Sequence, residues 1–101
     1  MFVAVLRVHL HFPESGSLKA KRSELNSVKA HLRQRHSAAV AEVAHQDSWQ
    51  RSILAVAVVD RAVALVEDRA DDVQRYLDAR LEHGARIERR ITSWSDLEAL
   101  G

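Results

Sequence analysis

A chain of 101 residues with a net charge of +1, 47% hydrophobic and 29% charged, has the composition of one ordinary globular domain, not of a disordered or collagen-like chain. It has no cysteine, which excludes disulfides, thiolate metal sites and a thiol nucleophile. The near-zero net charge argues against a generic polyanion binder, although the charges are unevenly placed.

Residues 2 to 12 alternate, with Phe2, Ala4, Leu6, Val8, Leu10 and Phe12 on one side and Val3, Val5, Arg7, His9 and His11 on the other, which predicts a half-buried strand. The cations and histidines also interrupt the apolar run that a signal peptide requires. The longest strongly apolar run, Ile53 to Val59, falls short of the roughly 20 residues of a membrane-spanning helix. A cytoplasmic protein with no membrane partner is the expectation.

Pro13 and Gly16 break the strand, and Ser17 is placed to cap a helix running to about His36. Its apolar positions Leu18, Leu25, Val28 and Leu32 recur at helical spacing, which puts the cations on the outer and flanking faces. From Glu14 to His36, Lys19, Lys21, Arg22, Lys29, Arg33 and Arg35 stand against Glu14 and Glu24. Helix N-termini carry unpaired N–H groups and the positive end of the dipole, so Ser17, Lys19, Lys21, Arg22, Lys29 and Arg33 form a candidate anion- or RNA-binding set. Three cations in a first turn oppose the dipole, which calls for an anion or a nearby carboxylate to compensate.

A second strand is predicted from Ala38 to His45, and a third, apolar on both faces and therefore central, from Gln50 to Asp60. Between them, His45, Asp47, Trp49 and Arg51 form a candidate interaction loop: Asp47 could orient the His45 imidazole and Trp49 could stack a base. The plainer alternative is an Asp47 turn bond and a Trp49 packed against a helix edge. Asp60 is expected to cap a second helix reaching about residue 82 and stopped by Gly84, with Val63, Val66, Val73, Leu77 and Leu81 as its apolar stripe. This helix is acidic: Glu67, Asp68, Asp71, Asp72, Asp78 and Glu82 outnumber Arg61, Arg69, Arg75 and Arg80. A charged edge strand is predicted from Ala85 to Trp94, with Ile87 and Ile91 facing the core. Residues 1–95 then form one domain and 96–101 a tail.

The order β-α-β-β-α-β predicts an α+β fold of the ferredoxin-like kind, a four-stranded antiparallel sheet with two helices on one face. No catalytic constellation accompanies it, so the expected protein is non-enzymatic and needs no cofactor. His9 and His11 alone are too few ligands for a metal site, and no nucleophile elbow marks a serine hydrolase.

The chain resembles the YlxP-like family, small bacterial proteins of unknown function. The residues carrying the resemblance are Phe2-Val3-Ala4-Val5-Leu6-Arg7-Val8, Ser17-Leu18-Lys19-Ala20-Lys21-Arg22, Val40-Ala41-Glu42-Val43, Asp47-Ser48-Trp49-Gln50-Arg51 and Leu54-Ala55-Val56-Ala57. The chain departs from the pattern at Ala55, where Gly is usual, and Ala39, where Ser is frequent. The resemblance implies a ferredoxin-like fold and, from the genes that usually neighbour the family, work near RNA or the ribosome. The leading expectation is a module that binds RNA or a ribonucleoprotein through the basic first helix. The alternatives are a homodimer formed through the open sheet face, rimmed by Arg7, His9 and His11, and a binder of a small phosphorylated ligand at Ser17 to Arg22.

Overall fold

The alternation of residues 2 to 12 becomes strand β1, Phe2–His11, in a computed structural model that describes residues 1–81 and 85–100. Ala4, Leu6, Val8 and Leu10 are buried beneath the helices. Helix α1, Leu18–His36, begins where the Ser17 hydroxyl accepts the Ala20 N–H at 3.0 Å, an N-cap that satisfies one orphan donor. It ends at Ser37, which takes the left-handed conformation (φ 51°) that glycine usually supplies, while Ala38 N–H bonds back to the Leu32 carbonyl.

Strands β2, Ala39–Ala44, and β3, Arg51–Asp60, pair antiparallel, with a register shift between Glu42 and Ala44. Helix α2, Val63–Arg80, starts later than expected, and Asp60 does not cap it. Asp60 is still paired with Phe2 in the sheet; its carboxylate accepts from Arg61 N–H and lies 3.5 Å from Arg69. The cap position falls to Ala62, which has no side-chain acceptor. The expected stop at Gly84 and the acidic Glu82 lie outside the described residues.

Strand β4, Arg86–Ser93, is followed by a short helix α3, Trp94–Leu100, in the segment expected to be a tail that forms a helical turn or frays. Ser93 and Asp96 form a reciprocal capping box, each side chain accepting the other's backbone N–H at 3.2 and 3.3 Å.

The strand order is β2-β3-β1-β4, all antiparallel, so β1 and β3 are central and β2 and β4 are the edges, as their hydrophobicity predicts. One sheet face buries Leu6, Val8, Leu54, Val56 and Val58 against Leu25, Val28 and Leu32 of α1 and Val66, Val73 and Leu77 of α2. Register places the odd residues of β1 and β3 on the opposite, open face, where Val5 and Val59 are exposed. The protein is thus α+β, with a four-stranded antiparallel sheet and three helices among the described residues.

Candidate functional site

The first turn of α1 differs from expectation at Lys21. Its side chain is fully buried and cannot reach an external anion. Its Nζ donates to Glu42 Oε2 at 3.0 Å and to the His45 carbonyl at 2.7 Å, and the Ser52 hydroxyl donates to the same carboxylate oxygen at 2.6 Å. The carboxylate compensating this cation against the helix dipole is therefore internal. Burial pushes the Glu42 carboxyl up, but the bonds from Ser52 and Lys21 and the charges of Lys21 and Lys29 outweigh it and hold the group below its ordinary value.

Apart from Lys21, the predicted cations Lys19, Arg22 and Arg33 are exposed and Lys29 is half-buried. Lys19, Arg22, Asn26, Lys29 and Arg33 follow one another at intervals of three, four, three and four, the spacing of one helix stripe. The other flank of α1 faces α2: Glu24 pairs with Arg80 at 2.7 Å, and His31 stacks on Tyr76 with ring centroids 3.7 Å apart. The basic stripe consequently lies toward edge strand β2, where Arg33 Nη2 donates to the Val40 carbonyl at 2.7 Å. That bond also occupies an open edge carbonyl. Among the described residues Lys19, Arg22, Lys29 and Arg33 form no salt bridge, while Arg69, Arg75, Arg80 and Arg89 all pair with carboxylates. Ser17 is spent on its cap.

The loop of residues 45–51 is built around a turn in which Ser48 N–H bonds to the His45 carbonyl at 3.0 Å and the Ser48 hydroxyl accepts from Gln50 and Arg51 N–H. Ser48 therefore makes the turn bonds expected of Asp47, and no hydrogen bond joins Asp47 to His45 among the described residues. Trp49 is 56% exposed, so much of its ring faces solvent. His45 has φ 64°, the left-handed region, which His tolerates better than most side chains. The bulge before it and the Lys21 bond to its carbonyl hold it there.

The structure brings His45 and Arg51 together with three residues outside the predicted loop, His9, His11 and Arg86, around an open depression of about 400 Å³ at one end of the open sheet face. His11 pairs with Arg51 across β1 and β3, and His9 with Arg86 across β1 and β4, so the two arginines flank the histidine strand. The two-residue spacing of His9 and His11 signalled a shared face; the flanking arginines follow only from register. Among the described residues the carboxylate nearby is Glu88, bound by Arg7 at 2.9 and 2.7 Å and by His9 at 2.7 Å. Those hydrogen bonds, Arg7's first, hold it at about 2. No group of three His, Asp or Glu able to hold a metal occurs among the described residues.

Elsewhere on the open face, Ala39, Ala41, Ala55 and Ala57 face one another across β2 and β3 and floor a shallow depression beside Val5. On the helix side, burial and the neighbouring His31 push His36 below its ordinary value. No described helix is long and apolar enough to cross a membrane.

Comparison with known proteins gives a family and no activity. The chain is 30% identical over 79 residues to "Uncharacterized protein YlxP" of Bacillus subtilis (strain 168), covering 78% of this chain and 82% of that one. Among solved structures, "De novo designed protein Foldit4" is similar with a TM-score of 0.54 and 14% identity, over 91% of this chain and 96% of that one, a likeness of fold alone. Residues 3–91 match the family described as "Protein of unknown function (DUF503)", and the chain belongs to this YlxP-like family.

Proposed function

We propose that this protein is a small non-enzymatic module, ferredoxin-like in plan with α3 appended, that binds single-stranded RNA along the α1 flank. The observation carrying this reading is the stripe Lys19, Arg22, Lys29 and Arg33. These four cations share one side of one helix, and among the described residues none forms a salt bridge; Lys29 alone acts on a carboxylate, Glu42, and does so without direct contact. Unpaired cations at helical spacing give a linear array matched to successive phosphates, and phosphate contacts dominate affinity for nucleic acid. The acidic α2 lies beyond the opposite flank of α1 and would turn a polyanion toward the stripe. Trp49, exposed in the loop between β2 and β3, supplies an aromatic face on which an unpaired base can stack.

Fluorescence anisotropy of a labelled uridine oligonucleotide tests the reading. Wild type should bind, Lys19, Arg22 and Lys29 replaced together by Gln should abolish most of the signal, and Arg61→Gln with Arg90→Gln should leave it unchanged. Equal binding by all three proteins would remove the stripe from consideration.

A second reading rests on the open face. Val5, Val43 and Val59 are exposed around the four alanines, which would let another sheet approach closely, and a second copy using the same patch gives closed two-fold symmetry. Sedimentation equilibrium at micromolar concentrations decides it. Dimers that Ala55→Glu dissociates would support this reading, and a monomer at the highest concentration would end it.

A further inference from the structure

We propose a second site, independent of the α1 stripe: the depression at the end of the open sheet face binds a compact phosphate dianion between Arg51 and Arg86, over His9 and His11, with His45 closing one side. Three strands and a held loop deliver these five side chains to one place. The gathering sets two arginines and three histidines around one open depression with little opposing charge. The Arg86 guanidinium lies 3.2 and 3.3 Å from the two ring nitrogens of His9, although arginine favours carboxylate or phosphate partners. Glu88 cannot serve the whole cluster. It is already bound by Arg7 and His9, and Arg86 reaches it only at 4.0 Å. Arg51, His11 and His45 have no carboxylate partner among the described residues, and Asp47, the acidic residue of the same loop, is exposed and joined to none of them.

The shape and the donor types select the ligand. Two guanidinium forks on either side of a strand can each present paired N–H groups to a tetrahedral anion, and imidazole N–H groups can complete its shell. The depression, at about 400 Å³, admits a phosphate with a small organic group attached. The interior network fixes the entrance: buried Lys21 holds the His45 carbonyl, so the left-handed backbone that sets the His45 side chain is tied to the core and not left to loop motion. A free phosphomonoester and the terminal phosphate of an RNA offer the same chemistry, and the test separates them.

The probe is inorganic phosphate, titrated into the full chain at pH 7 with ionic strength held constant by chloride, and followed by the imidazole carbon-bound proton signals in NMR. Saturable shifts of His9, His11 and His45 are expected, with His31 and His36 unmoved. Arg51→Gln and Arg86→Gln should each weaken binding about tenfold or more, the loss of a charge-assisted bond. His45→Asn, which keeps a residue tolerant of the left-handed backbone, should weaken it less, and the Lys19, Arg22 and Lys29 variant should bind phosphate normally. A second arm compares 5′-phosphorylated with 5′-hydroxyl dinucleotide: preference for the phosphorylated form beyond inorganic phosphate identifies an RNA terminus, and equal affinity for phosphate alone identifies a small ligand. Absence of saturable shifts, equal shifts in all histidines, or full binding by Arg51→Gln and Arg86→Gln in folded protein would overturn the proposal.

Discussion

Replacing Lys21 by Met removes the one fully buried charge among the described residues while keeping most of the apolar stem that packs beneath α1. Two bonds disappear, to Glu42 at 3.0 Å and to the His45 carbonyl at 2.7 Å, and the carboxylate keeps only Ser52. Breaking a buried pair from one side costs about 3 to 5 kcal/mol, because the other charge is left behind. The Glu42 side chain retains 17% exposure, so water can reach it, which places the cost near the lower end, about 3 kcal/mol. Urea unfolding at pH 7 should show the midpoint falling by about 2 M, taking the slope usual for a chain this size. Replacing both partners, Lys21→Met with Glu42→Leu, should recover most of the loss, since an apolar pair leaves no orphaned charge. The deficit of the single variant should also shrink as Glu42 is protonated in acid. A single variant within about 0.5 kcal/mol of wild type would refute the claim that this pair is structural.

Leu54→Ala, in the middle of central strand β3 with no exposed surface, should cost about 2 to 5 kcal/mol by urea unfolding, and a cost under about 0.5 would contradict its packing. Glu88 has a folded value of about 2 against an ordinary 4.5, so its contribution is present in full above the ordinary value and is lost as pH falls through about 2. Thermal melts of wild type and Glu88→Gln between those limits should converge as the pH drops; parallel curves would mean that the Arg7 and His9 bonds contribute nothing.

Periodicity made most of the fold legible. The alternation in β1 and the two-sided apolarity of β3 locate the central strands, because burial on one or both faces is written directly in side-chain type. Lys21 was misread although it completes the series Leu18, Lys21, Leu25, Val28, Leu32 at helical spacing. Its position on the core stripe was visible, but its partner Glu42 lies on another element, and only the sheet register reveals it. Asp60 looked like a cap because its residue type suits one; the strand continued through it and the sheet took it instead. The capping box of Ser93 and Asp96 was readable from spacing and marks α3. The clustering of Arg51 and Arg86 around His9 and His11 was not, because cross-strand register joins His11 to Arg51 and His9 to Arg86, residues far apart in the chain.

The proposed function stands or falls on the salt dependence of RNA binding. If Lys19, Arg22, Lys29 and Arg33 each neutralise a phosphate of a single strand, log affinity should fall with log salt at a slope near −3, and the variant with the first three replaced by Gln should flatten to a slope of about −1. The same slope in both proteins would contradict the assignment of these four side chains.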